Sequence, residues 1–153
     1  MAGNPAESVS RKEIDMNRDE ILQFFNSHPA CHLATIEGNQ PHVRGMMICK
    51  ADKEGILFQT ADSKDLWNQL EGNPKVEICF NDFQTGLQIR VAGTAEVVED
   101  QRLKEEIVEK RSFLKPAVEK RGYQMIKLFR VRKGRALVWT REKNFDPKEY
   151  IDI

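Results

Sequence analysis

Apolar positions fall in short clusters along this chain, and their spacing changes character several times. From Asn17, the side chains Ile21, Leu22, Phe24 and Phe25 make one apolar side at helical spacing. His28-Pro29 stops that helix, because proline disfavours helix in the residue before it. Residues 31–60 then read as β-type runs. Turn-forming clusters at Glu37-Gly38-Asn39-Gln40 and Asp52-Lys53-Glu54-Gly55 divide them into a three-stranded antiparallel meander, with residues 56–59 as the short last strand. Asp62-Ser63-Lys64 opens a short helix with Leu66, Trp67 and Leu70 on its apolar face, and Gly72-Asn73-Pro74 ends it.

The strand pattern returns at residues 75–80 and, after the loop 81–86, in a long run at 87–98. An isolated glycine inside that run, Gly93, predicts a bulge or a bend. Residues 101–110 are strongly charged, with Leu103, Ile107 and Val108 at helical spacing, and Pro116 interrupts the next segment. Two last strands, 125–131 and 135–140, are expected to form a hairpin about Lys133-Gly134. The expected division is a loose lead-in over residues 1–15, a domain over 16–140, and a polar tail over 141–153 anchored by Phe145, Tyr150 and Ile151. Six or more antiparallel strands with a few short helices predict a small β-barrel of the α+β class, mostly β.

Composition narrows the function. At 153 residues, 40% of them hydrophobic and 31% charged, the chain suits one globular domain. Its 24 basic and 24 acidic side chains cancel, which argues against a non-specific nucleic-acid binder. No apolar run approaches the roughly 20 residues that span a bilayer, and the N-terminus carries no signal-like hydrophobic core, so the expectation is a cytoplasmic protein without membrane contact. Cys31, Cys49 and Cys79 are widely spaced in apolar runs and read as free buried thiols. His28 and His32 have the spacing of paired metal ligands on a helix, but Pro29 lies between them, and no metal site is expected. The basic residues Lys110, Arg111, Lys120 and Arg121 alternate with glutamates and read as a solvated helical face.

One constellation carries chemistry. Arg44 sits mid-strand among Val43, Met46 and Met47, where a charge needs solvent or a partner. Gln59-Thr60 ends the next hairpin, and Ser63-Lys64 stands at a helix start. A phosphate monoester asks for cations, hydroxyl donors and outward-pointing N–H groups; arginine, lysine, serine, threonine and a helix N-terminus supply them. Antiparallel pairing within the meander is expected to bring Arg44 beside the turn after Thr60.

The run LATIEGNQPHVRGMMICKADKEGILFQTADSKDLWNQLEGNPKVEICF, continued in LQIRVAGTAEVVED, resembles the core of the pyridoxamine 5'-phosphate oxidase family from Leu33 to about Asp100. The resemblance implies a split-barrel homodimer holding FMN at its interface. By position, Arg44 and Lys64 resemble ligands of the FMN phosphate, and Ser63 stands where the family has an arginine. Gly45, Met46 and Met47 would lie along the ring, Gln59 and Thr60 at the strand end beside it. Gln88 would reach the flavin from the second subunit, and Trp139 resembles a late tryptophan near the ring. The family's oxidase has a late Arg-x-His segment that this chain lacks, Cys49 replaces a lysine that contacts the substrate, and residues 105–120 lack its Tyr, Arg and Ser pattern. The resemblance therefore implies an FMN-dependent oxidoreductase with some other small substrate. A flavin-binding electron carrier or sensor, or a split-barrel binder of haem or deazaflavin, stay as alternatives.

Overall fold

The structure is a computed structural model, and it describes residues 15–153. The lead-in expected over residues 1–15 therefore lies almost wholly outside the described residues.

Helix α1, Arg18–Ser27, starts where its caps dictate. The Asn17 side chain accepts from the Glu20 amide and the Glu20 carboxylate accepts from the Asn17 amide, a reciprocal capping box. The helix buries Ile21, Leu22, Phe24 and Phe25 in the main core, with the Phe25 ring stacked 4.1 Å from that of Phe80. His28 caps the helix with its Nδ1 3.1 Å from the Phe24 carbonyl, and its Nε2 lies 3.5 Å from Asp82 rather than near His32.

The strands are β1 Ala30–Glu37, β2 Gln40–Met47, β3 Lys50–Asp52, β4 Gly55–Ala61, β5 Lys75–Asp82, β6 Leu87–Val98, β7 Ile126–Trp139 and β8 Tyr150–Asp152. They form one antiparallel sheet in the order β2-β1-β5-β6-β7-β4-β3, with β8 added beside β7. The order corrects the expected meander. The β1–β2 and β3–β4 hairpins both form, but β4 pairs along its length with β7, and β2 is the opposite edge of the sheet. The pattern could not reveal this, because β4 is buried on both faces. Ile56 and Phe58 enter the main core, whereas Leu57 joins a second cluster with Ile107, Val108, Val118, Met125, Ile126 and Leu128. Each such buried aliphatic side chain is worth about 1.5–3 kcal/mol over exposure.

The second correction concerns Lys133-Gly134. Residues 126–139 are one continuous strand, and β6 pairs with it from Val98↔Leu128 to Gln88↔Trp139. The register shifts by one residue between Ala92 and Thr94, so the glycine signal marks a bulge, not a chain reversal. Lys133 takes a left-handed φ of 53°, and Gly93 is required opposite it, since a Cβ there would stand 2.7 Å from Val131 Cγ1. The tail returns to its own chain: β8 pairs with β7 and the Ile153 amide donates to the Gly134 carbonyl.

Helices α2, Asp65–Gly72, α3, Gln101–Lys110, and α4, Lys115–Arg121, complete the fold. Among the described residues, no helix is long and apolar enough to cross a membrane. All three cysteines are free, Cys31 buried and Cys49 and Cys79 only half-buried.

Candidate functional site

The sheet's two edges are not hydrogen-bonded to each other, yet the sheet curls until they face across a cleft of about 790 Å³. Residues 42–47 of β2 form one wall; Gln59, Thr60, Ser63, Lys64, Asp65, Leu66 and Gln69 form the other; Arg111 and Phe113 close one side. Arg44 thus comes beside the turn after Thr60, as expected, but by curling of the sheet and not by strand pairing.

Arg44 is tethered by groups of its own chain. Its Nη1 donates to Thr35 Oγ1 at 2.8 Å and to the Leu33 carbonyl at 3.3 Å, and its Nη2 donates to Gln69 Oε1 at 2.5 Å. Thr35 also donates to Gln69 Oε1, and the Gln69 amide donates to Glu37. Burial lowers the Arg44 pKa from its ordinary value, and the Asp65 carboxylate acts in the opposite direction. The guanidinium stays charged, and Nε is not among the nitrogens so used. Thr35 and Gln69 were not singled out in the sequence. Both are polar residues on otherwise apolar faces, and each is at least nine-tenths buried.

Across the cleft, Thr60 is the last residue but one of β4. The residue is 4% exposed, and its hydroxyl oxygen has no hydrogen-bond partner among the described residues. A buried hydroxyl left unmade costs about 1–3 kcal/mol, so such groups are uncommon and call for a ligand or water. Helix α2 begins beside it at Asp65, three residues later than expected. Its N-cap, Lys64, supplies no side-chain cap; the Trp67 amide donates to the Lys64 carbonyl, and the Asp65 and Leu66 amides are left without an acceptor among the described residues. Asp62 does not cap; it accepts from Arg121 Nη2 at 2.9 and 3.1 Å, while its amide donates to the Met125 carbonyl. Arg121 stays on the exposed face while making this pair, whereas Arg111 is drawn inward: its Nη2 donates to the carbonyls of Met47 and Ile48.

Gly45, Met46 and Met47 line the β2 wall. A Cβ built on Gly45 meets nothing within 4 Å, so the wall there is bare backbone facing open space. Gln88 and Trp139 are directly paired across β6 and β7, but in a second concavity of about 610 Å³ shared with Arg90, Leu137 and Tyr150. Gln88 donates to Asn81 and Trp139 to Asn144. One chain therefore brings eight of the ten sequence-predicted residues into one cleft, and sets the remaining two elsewhere.

A curled antiparallel sheet with unjoined edges and a cationic, hydroxyl-bearing cleft between them defines a split barrel. The family model for pyridoxamine 5'-phosphate oxidase matches residues 18–139, and the chain belongs to that family. It is 30% identical over 87 residues to a pyridoxine/pyridoxamine 5'-phosphate oxidase of Pelagibacter ubique, a match covering 56% of this chain and 41% of that protein. The chain thus spans less than half the length of the curated relatives it matches. Among solved structures, a nimC/nimA family protein of Clostridium acetobutylicum aligns with a TM-score of 0.71 at 23% identity, covering 88% of this chain and 92% of that one. The heme storage protein HutZ of Vibrio cholerae aligns with a TM-score of 0.58 at 20% identity, covering 76% and 89%.

Proposed function

We propose that this chain is an FMN-binding oxidoreductase acting on a small molecule, and that it works as a homodimer with a cleft completed by the partner copy. The observation that carries the reading is the buried hydroxyl of Thr60, unpartnered among the described residues, in one cleft with an uncapped helix start and the cations Arg44 and Lys64. A phosphate monoester fits that set. Thr60 and Ser63 donate from hydroxyls, the α2 N-terminus from N–H groups, Lys64 as a point charge, and Arg44 from the donors its tether leaves over. Gly45, Met46, Met47 and Gln59 offer a planar ring an apolar wall with a polar rim. When bound, FMN supplies the hydride or electron chemistry, and the chain's residues hold and orient it.

The dimer is supported by one face of β1 and β2. Ile36 on β1 and Val43 and Met47 on the edge strand β2 are exposed there, Val43 by 68%, on a face that a second copy would cover. In this reading the Gln88–Trp139 pair, which lies outside its own chain's cleft, serves the cleft of the partner copy, as the family resemblance implies for Gln88. The three unpaired thiols suit a reducing, cytoplasmic location. Haem is the second reading, favoured by His42 in the same cleft as a candidate axial ligand.

The test is the purified protein's absorbance. A flavin spectrum, with FMN identified after release, supports the first reading; a Soret band supports the second; a colourless protein that takes up neither refutes both. Replacing Arg44 and Lys64 together with Ala is expected to abolish retention while thermal unfolding stays cooperative. Bound flavin that is reduced by a nicotinamide donor but passes electrons to no small acceptor would make the protein a carrier, not an enzyme.

A further inference from the structure

The two ends of the cleft differ in chemistry. Thr60, Ser63, Lys64 and Arg44 make one end cationic and rich in donors. The other is bounded by Met46, Met47, Arg111 and Phe113. Phe113 is 71% exposed and belongs to neither hydrophobic cluster. It is not a loose loop residue. It sits in the 3-10 turn Ser112–Leu114, which is fixed on both sides. Before it, Arg111 donates to the carbonyls of Met47 and Ile48 at 3.1 and 2.8 Å. After it, Leu114 packs against the second cluster, and its amide donates to the Arg111 carbonyl. A large aromatic ring is thus held at the cleft by a braced backbone while burying little of its own surface.

Arg111 adds a charge at this end. Only Nη2 serves the strut, so Nη1 and Nε carry N–H groups with no acceptor among the described residues. No carboxylate lines this end, the cleft's one acidic residue being Asp65 at the other.

We propose that Phe113 and Arg111 form the substrate-specificity end of the cleft and select a planar aromatic ligand bearing one anionic group. The ring stacks on Phe113 and the anion meets the unused donors of Arg111. This rests on the flavin reading, which sets the phosphate against Thr60, Ser63, Lys64 and Arg44 and the ring against Met46 and Met47, and leaves Arg111 and Phe113 for the substrate. A single guanidinium already shared with two carbonyls suits a carboxylate-sized anion rather than a second phosphate ester.

The experiment is calorimetric titration of the full chain with naphthalene-2-carboxylate, with and without saturating FMN. Naphthalene-2-carboxamide and cyclohexanecarboxylate serve as the neutral and the non-planar probes. The expected result is binding of the first probe at least about tenfold tighter than either control, and a loss of about tenfold or more in Phe113→Ala, which removes the stacking face. Phe113→Tyr should restore it, and FMN affinity should be unchanged in both variants. Equal binding of the three probes, no binding, or indifference to Phe113→Ala overturns the proposal. A Phe113→Ala variant that converts a dimer to a monomer also overturns it, by assigning the ring to the subunit interface. Failure to bind FMN sinks the flavin reading instead, and the Phe113 dependence of probe binding to the FMN-free chain still decides this one.

Discussion

Arg121 holds Asp62 from a single nitrogen, Nη2 lying 2.9 and 3.1 Å from the two carboxylate oxygens. The pair joins the end of α4 to the loop that carries Ser63 and Lys64, and the Asp62 amide adds a hydrogen bond to the Met125 carbonyl. Both side chains are partly exposed, so the ion pair is worth only about 0.2–1 kcal/mol to stability. Its larger effect is on where the loop stands. Arg121→Ala is expected to leave the melting temperature almost unchanged and to weaken FMN binding several-fold, measured by quenching of flavin fluorescence. Asp62→Asn should do the same, and the two losses should not add, because each breaks one bond.

Thr60→Val separates binding from folding by sign. The substitution keeps the shape and removes a hydroxyl that has no partner among the described residues. Stability without cofactor should rise, by up to about 1 kcal/mol, because the desolvation cost of the unmade bond disappears. FMN affinity should fall by about tenfold or more, the worth of a hydrogen bond to a charged group. Urea unfolding of the FMN-free protein and a binding titration read the two effects. A fall in both would make Thr60 a packing residue.

Gly45→Val follows the same logic on the β2 wall. Glycine in a strand costs roughly 0.5–1 kcal/mol relative to alanine, and nothing lies within 4 Å of the place a Cβ would take. The variant should therefore fold at least as stably as the parent. The new side chain would intrude where a planar ring is proposed to lie, and flavin retention after gel filtration should be lost.

How much of the fold was legible in the sequence depends on which forces are local. Asn17, Glu20 and Pro29 fix α1 within a few residues of chain, and the Gly93 bulge stands where a lone glycine broke a strand pattern. The partnership of β4 with β7 was not legible, since a strand buried on both faces shows no alternation to fix its neighbours. Lys133-Gly134 looked like a reversal because a one-residue bulge and a tight turn use the same residues. Within the site, Arg44, Thr60, Ser63 and Lys64 were legible as anion-binding types. Thr35 and Gln69, which hold Arg44, were not, because no local pattern marks which buried polar groups will meet across the fold. Arg111 was read as solvated because the carbonyls it serves lie far off along the chain.

Cys31 gives the chain an alkaline limit. Burial first, and then the neighbouring Cys79, push its thiol from 9.0 up to about 12, and Cys49 is raised by burial as well. The sign comes from proton binding. Above pH 9.0 the unfolded chain releases the Cys31 proton while the folded chain keeps it until about 12, so unfolding gains as pH rises. The contribution is fully present below the unfolded value and is lost across that window at about 1.4 kcal/mol per pH unit. Urea unfolding at about pH 8 and about pH 10 should show the loss, and Cys31→Ala should flatten the slope whatever it does to stability at the lower pH. Because the thiolate is the reactive form, iodoacetamide should modify Cys31 in the native protein last of the three cysteines, and at a rate set by unfolding. Rapid labelling of native Cys31 near neutral pH would show that the β1–β5 face of the core opens far more readily than its burial implies.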